Sequence, residues 1–244
     1  MRLFGLIGFP LGHSFSKNYF TNKFLSENIP GCQYELFPIK SINELPALLQ
    51  AHPLLEGLNV TIPYKKDVLE YLSENKLPAG LNACNCIQIR NGLLSGHNTD
   101  VAGFEKSLLQ VIEPAQRNAL ILGNGGAADA VAYVLGKLGI QYKIIGRSLK
   151  TGIDFTYSQV TPGLIESNSI IINTTPLGTF PKFDECPMIP YEAITNSHLL
   201  FDLVYNPAET LFLKKGAAQG AKIQNGYDML VYQAEEAWRI WNES

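Results

Sequence analysis

The chain lacks the features that would tie it to a special environment. None of its apolar runs reaches the roughly 18 residues of a membrane span. The apolar run at the N-terminus is broken by glycine and ended by Pro10, which suits a buried strand better than a signal peptide. Charge is scarce and balanced: 19 Lys and Arg face 22 Asp and Glu, a formal net charge of −3. That leaves no bulk electrostatic case for a nucleic acid or an anionic membrane as partner. The four cysteines, Cys32, Cys84, Cys86 and Cys186, form no C-x-x-C pair. A disulfide framework or a zinc site is therefore unsupported, and free buried thiols in a reducing cytosol are expected, with Cys84 and Cys86 on one face of a strand. There is no internal repeat, no low-complexity segment and no Gly/Ser-rich linker.

What is present is a core. Hydrophobic residues are 46% and charged residues 17% of the chain, the opposite of a disordered composition. A length of 244 residues leaves one large or two modest domains open. Strand-like and helix-like stretches alternate. Strands are expected at Leu3–Ile7, Tyr34–Ile39, Gly57–Thr61, Ala83–Arg90, Ala119–Leu122, Tyr142–Ile145, Ser169–Asn173 and Leu199–Leu203. Helices are expected at Ser14–Asn28, Ile42–Ala51, Pro63–Leu72, Asp100–Val111, from Ala127 to Leu138, and Met229–Trp241. The alternation predicts an α/β protein with largely parallel sheet. Without a flexible linker, any domain boundary must be crossed by helices, and the helix from Asp100 is the natural crossing.

Gly123-Asn124-Gly125-Gly126-Ala127-Ala128 follows a strand and opens a helix. Gly123, Gly125 and Ala128 fit the dinucleotide fingerprint G-x-G-x-x-G/A. The first glycine makes the tight turn, the second admits a pyrophosphate, and the small third residue allows close helix–strand packing. The free N–H groups of the helix N-terminus then face the phosphates. NAD enzymes place an acid about 20 residues further on. This chain instead has Gly146-Arg147-Ser148 at the end of the next strand, with Lys150 nearby. A guanidinium there suits a ribose 2′-phosphate, which favours NADP over NAD.

Polar residues gather at the strand ends of the first 100 residues: Ser14 and Ser16, Asn59 to Lys65, Asn82 to Asn85, and Gly96 to Asp100. In open parallel sheets such junctions converge on one ligand crevice. Hydroxyls, amides, one lysine and one aspartate there suit a small polyhydroxylated acid. At these positions the sequence resembles the shikimate dehydrogenase family. The resemblance rests on S-x-S at Ser14–Ser16, N-V-T-x-P-[FY]-K at Asn59–Lys65 and G-x-N-T-D-x-x-G-F at Gly96–Phe104. It continues with G-x-G-G-A at Gly123–Ala127, N-x-T-P-x-G at Asn173–Gly178, D-x-x-Y-x-P-x-x-T at Asp202–Thr210 and G-x-x-M-L-x-x-Q-A at Gly226–Ala234.

The resemblance implies an NADP-dependent oxidoreductase that interconverts 3-dehydroshikimate and shikimate in aromatic amino acid biosynthesis. It implies a substrate domain at 1–99, completed by a C-terminal helix at 226–244, and a Rossmann-like NADP domain at 100–225, with a cleft between them. Lys65 and Asp100 would be the catalytic pair. Ser14, Ser16, Asn59, Thr61, Asn85, Tyr205 and Gln233 would hold the substrate. Gly123, Gly125, Gly126, Ala127, Arg147, Ser148, Thr174 and Gly226 would hold the cofactor. No metal is implied, and monomer and homodimer remain equally open. Departures are Cys86 in place of a hydroxyl, Gly146 and Ser148 in place of Asn and Thr, and Asp228 in place of a small residue. Other readings stay open for single residues: a solvated first-turn lysine for Lys65, helix N-caps for Asp100 and Ser14, and satisfied core groups for Tyr205 and Gln233. An NAD-dependent quinate/shikimate dehydrogenase and a non-catalytic NADP-binding regulator are the competing functions.

Overall fold

In a computed structural model the described residues are 1–12 and 14–243. The chain separates into two compact units, Met1–Gly103 with Leu230–Ser244, and Phe104–Met229. The expected boundaries lay at 99/100 and 225/226. The observed ones are four residues later, because each falls inside a helix rather than at its start.

The first unit opens with β1 (Arg2–Gly8), α1 (Phe15–Ser26), β2 (Cys32–Pro38), α2 (Leu45–Ala51) and β3 (Leu55–Val60). It continues with β4 (Glu74–Asn75), β5 (Cys86–Arg90), β6 (Leu93–His97) and the start of α3 (Thr99–Leu109). Its sheet has the order β2-β1-β3-β5-β6-β4. β1 runs parallel to β2 and β3, but β5 is antiparallel to both β3 and β6. The sheet is therefore mainly parallel, as expected, with β5 the one strand that runs against the rest. β5 turns into β6 through a tight hairpin at Asn91-Gly92, whose φ values of 50° and 78° place both residues in the left-handed region of a type I′ turn.

The helix expected at Pro63–Leu72 is also corrected. Only Asp67–Tyr71 is helical, and it is a 3₁₀ helix. The Lys65 carbonyl accepts from Cys84 N–H at 2.7 Å and so is not given to an α-helical ladder. Cys84 and Cys86 pack into different apolar clusters instead of sharing one face. All four cysteines are free.

The second unit contains β7 (Asn118–Leu122), α4 (Gly126–Lys137), β8 (Gln141–Gly146), β9 (Phe155–Thr156), α5 (Pro162–Glu166), β10 (Ile170–Asn173), β11 (Leu199–Asp202), α6 (Leu211–Ala218) and β12 (Lys222–Gln224). Every neighbouring pair is parallel, in the order β12-β11-β10-β7-β8-β9. That is the doubly wound order in which the strand sequence reverses between β7 and β10, the place where such sheets bind dinucleotides. β7, β10 and β11 are almost wholly buried runs, as expected for strands covered on both faces.

The last helix, α7 (Tyr227–Asn242), begins in the second unit and returns to the first. Its Ala234, Ala237, Ile240 and Trp241 pack with Phe4 and Leu6 of β1, Phe20 and Phe24 of α1, and Tyr34 of β2. Trp241 is fully buried, stacks on Phe4 at 4.9 Å, and donates its indole N–H to the Ile87 carbonyl at 3.0 Å. No described helix is long and apolar enough to cross a membrane.

Candidate active site

Lys65 lies in the turn after β3, and Asp100 in the first turn of α3. Their side chains meet, with Nζ 2.7 Å from Oδ2. Side-chain exposure is 23% for Lys65 and 13% for Asp100, so the pair is shielded yet reachable. No α-helix starts at Pro63, so Lys65 is not a first-turn helical lysine. Asp100 is not the helix cap: Asn98 Oδ1 accepts from Val101 N–H at 3.2 Å and takes that role. The Asp100 carboxylate is thereby left for Lys65.

Two buried amides stand nearby in the sequence and the sheet. Asn59, at the end of β3, accepts on Oδ1 from the Tyr34 hydroxyl at 2.7 Å. Its Nδ2 reaches the Asn85 carbonyl at 3.4 Å. Asn85 Oδ1 accepts from Thr99 N–H at 2.6 Å and from its hydroxyl at 3.3 Å. Both amides are 4% exposed. The Thr99 hydroxyl also lies 3.4 Å from Gln233 Oε1 of α7, so Gln233 joins the first unit's polar group. Thr61 is half-buried at the C-terminal end of β3. Ser14 is the N-cap of α1, its Oγ accepting from Lys17 N–H at 3.3 Å. Ser16 stands in that helix's first turn, and burial holds the Tyr34 hydroxyl well above the usual tyrosine range while Ser16 opposes the shift. Tyr34 was not among the sequence candidates. Its partner Asn59 is 25 positions away in the chain, beyond the reach of any local motif.

The second unit carries the other set. Gly123, at φ 110°, ends β7, and a Cβ there would sit 2.7 Å from Thr174 Oγ1 and 2.9 Å from Thr175 Cγ2. Gly125 caps α4 without a side chain, and a Cβ at Gly125 or Gly126 would point into open space. Ala127 follows in the helix's first turn. Gly123, Gly125, Arg147 and Thr174 line a cavity of about 440 Å³, together with Lys150, Tyr157, Thr175 and Pro176. No carboxylate lines it. Ser148 is exposed and lies outside this lining. The Thr174 hydroxyl and N–H both donate to the Leu122 carbonyl at 2.9 Å, joining the ends of β10 and β7 across the reversal point.

Behind that loop, Asn173 Nδ2 donates to Asp202 Oδ1 at 2.9 Å, and Asn173 Oδ1 accepts from the Thr175 N–H at 3.0 Å and its hydroxyl at 2.6 Å. Asp202 also accepts from Val204 N–H at 3.0 Å and from the Thr210 hydroxyl at 2.5 Å. Burial pushes the Asp202 carboxyl up to about 6, against the opposing pull of its Thr210, Val204 and Asn173 hydrogen bonds. Tyr205, half-buried just after this network, and Gly226 also belong to the second unit. The Gly226 N–H donates to the Val204 carbonyl at 3.1 Å, and its α-carbon is pressed against the Leu203 carbonyl, where no side chain has room. Among the described residues no cluster of His, Cys, Asp and Glu is arranged to hold a metal.

Residues 6–87 match the family described as the shikimate dehydrogenase substrate binding domain. Over its whole length the chain is 40% identical to the shikimate dehydrogenase (NADP(+)) of Clostridium beijerinckii, covering 93% of that protein. The chain belongs to the shikimate dehydrogenase family. Among solved structures it is similar to a shikimate dehydrogenase in complex with NADP+, at 32% identity and a TM-score of 0.86 over 99% of this chain and 90% of that one. It is also similar to the Thermus thermophilus shikimate 5-dehydrogenase in complex with NADP(H) and shikimate, at 28% identity and a TM-score of 0.86. That match covers 99% of this chain and 94% of the other.

Within the shikimate dehydrogenase frame, two departures find a local explanation. Cys86 is wholly buried in the apolar cluster under α7, where a thiol behaves as a small hydrophobe. Asp228 lies in the first turn of α7, where a helix N-terminus favours a carboxylate, and accepts from Gln224 Nε2 at 3.2 Å.

Proposed function

We propose that the chain catalyses the reversible, NADP(H)-dependent reduction of 3-dehydroshikimate to shikimate. The observation that carries this reading is the shielded Lys65–Asp100 pair, at 2.7 Å, in the same unit as Asn59, Asn85, Thr99 and Gln233. Bound NADPH would supply the hydride to the carbonyl carbon. The Lys65 ammonium gives its proton to the carbonyl oxygen as negative charge grows there, and recovers one from solvent. Asp100 accepts from Lys65 and so holds the ammonium in place. Proton transfer of this kind is worth about 10²–10⁴-fold. The Asn59 and Asn85 N–H groups, Thr61, Ser14, Ser16, Gln233 and Tyr205 would bind the ring hydroxyls and the carboxylate.

The Gly123–Ala127 turn, the α4 N-terminus and Thr174 would hold the pyrophosphate of the cofactor. The open space beside Gly125 and Gly126 supports this, since any side chain there would fill it. Arg147, with Lys150, faces a cavity free of carboxylates, which fits a 2′-phosphate and supports NADP over NAD. Gly226 lies on the connection leading to α7, where the family places the nicotinamide.

The test is oxidation of shikimate followed at 340 nm with NADP+ and with NAD+. Turnover with NADP+, at a kcat/KM at least about tenfold above that with NAD+, is expected. No turnover with either dinucleotide overturns the function, and turnover only with NAD+ overturns the cofactor assignment.

A further inference from the structure

β1 runs between β2 and β3, so Tyr34 on β2 and Asn59 on β3 stand two strands apart, a span of about 9–10 Å. On that face β1 offers only Phe4 and Leu6, neither of which has a polar atom to bridge the gap. The Tyr34 hydroxyl nonetheless reaches Asn59 Oδ1 at 2.7 Å, with the two residues 3% and 4% exposed. Only a long, stiff side chain ending in a hydroxyl spans this distance. The ring is held by stacking on Phe20 of α1 at 4.8 Å and by Trp241 of α7 at 6.3 Å. Asn59 is thus the polar group that the Tyr34 hydroxyl reaches.

A primary amide has an accepting end and a donating end. Tyr34 occupies the accepting end of Asn59, so its Nδ2 must face the other way. One of those N–H groups reaches the Asn85 carbonyl at 3.4 Å, and no further protein acceptor for it is found among the described residues. Asn85 is oriented likewise by a different donor, the Thr99 N–H. Both amides therefore present N–H donors, which suit the lone pairs of a polyhydroxylated ligand.

We propose that Tyr34 is a positioning residue for substrate binding: its hydroxyl fixes the Asn59 amide with its donors turned toward the substrate's oxygens. This rests on the proposed reading that Asn59 touches shikimate. Tyr34 itself lies beneath it and makes no contact with the reacting atoms. Without its hydroxyl the Asn59 oxygen is left buried and unpaired, and the amide is free to turn over.

The experiment is Tyr34→Phe, which keeps the ring and its stacking. Calorimetric titration with shikimate is expected to show a dissociation constant about tenfold higher than wild type, matched by a similar rise in KM. The kcat and the NADP+ dissociation constant are expected to stay within about twofold. In an Asn59→Ala background the same change is expected to add less than about twofold, because the group it orients is gone. An unchanged shikimate affinity, an equal loss in both backgrounds, or a parallel loss of NADP+ affinity each overturns the proposal. If Tyr34→Phe does not fold, Asn59→Asp decides: the carboxylate still accepts from Tyr34 but has no N–H to offer. Weakened shikimate binding then supports the proposal and unchanged binding overturns it. A wild-type protein that neither binds nor oxidises shikimate overturns the functional reading itself, before any variant is compared.

Discussion

Lys65 and Asp100 are 35 positions apart, and each has an ordinary structural role open to it in the sequence. The structure removes both of those roles. No α-helix begins at Pro63 for Lys65 to decorate, and Asn98 rather than Asp100 caps α3. What remains is a shielded ammonium–carboxylate contact at 2.7 Å. Lys65→Ala is expected to lower kcat for shikimate oxidation by about 10²–10⁴-fold, with shikimate affinity changed only a few-fold. Steady-state kinetics beside calorimetric binding separates the two quantities, and a variant retaining most of its kcat rules out the proton-transfer role. Asp202 offers a second test at this scale. Its folded-state carboxyl titrates near 6 against an ordinary value of 3.8, so the native chain holds that proton more tightly than the unfolded one. The stability this contributes is fully present below about pH 4 and is lost as pH rises through 6, an effect of about 3 kcal/mol. The unfolding free energy of wild type relative to Asp202→Asn, from urea titrations at pH 4 to 7, is expected to fall over that window. A constant difference would contradict the assignment. The residue types of the site were legible in the sequence, because Lys, Asp, Asn and Ser at strand ends have few other uses in such number. Their hydrogen-bond directions were not. Tyr34 turns Asn59, and Thr99 turns Asn85, through contacts between segments distant along the chain or in different strands.

Among the elements, the β5–β6 hairpin shows a signal that was present and went unread. Asn-Gly between two apolar stretches is the strongest short-range mark of a type I′ turn, because both positions need a positive φ. The expected strand Ala83–Arg90 was read without a partner strand at Leu93–His97. Gly92→Ala is expected to cost about 1 kcal/mol, since an L-residue at φ 78° is strained. A urea midpoint unchanged from wild type would show that the turn relaxes. The 3₁₀ segment at Asp67–Tyr71 failed for the opposite reason: proline near a first turn was a sound local sign, but Cys84 N–H claims the Lys65 carbonyl. By contrast β7, the Gly123–Ala127 turn and α4 were readable almost to the residue. There the apolar run, the glycines and the helical periodicity all describe one continuous stretch of chain, with no distant partner needed to form it.

For the whole molecule, the telling feature is that the first unit is built from both ends of the chain. Leu230–Ser244 belongs with Met1–Gly103, and Trp241 fills the cluster beneath β1, α1 and β2. The Arg2 guanidinium donates to Asn242 Oδ1 at 2.8 Å, tying the two ends further. A chain ending at Met229 is expected to lose shikimate binding and amide protection in β1, β2 and β3. Protection in β7, β10 and β11 is expected to persist, because that sheet and its helices lie wholly within Phe104–Met229. Hydrogen exchange read strand by strand checks this, and native protection of β1 in the truncated chain would contradict it.

By itself the sequence determined the alternation of strands and helices, the phosphate-cradling turn, the cationic residue beside it and the set of side chains available for chemistry. Each of these depends on neighbours within a few positions, where backbone geometry and side-chain type suffice. Only the tertiary structure decided that β5 runs against the rest of the first sheet, that Asn98 caps α3 and frees Asp100, that Asp202 pins the Asn173–Thr175 loop, and that Tyr34 reaches across β1 to Asn59. Those outcomes turn on which buried donor meets which buried acceptor. A polar group removed from water must find a partner in the fold, and which partner it finds is set by packing between segments far apart in the chain.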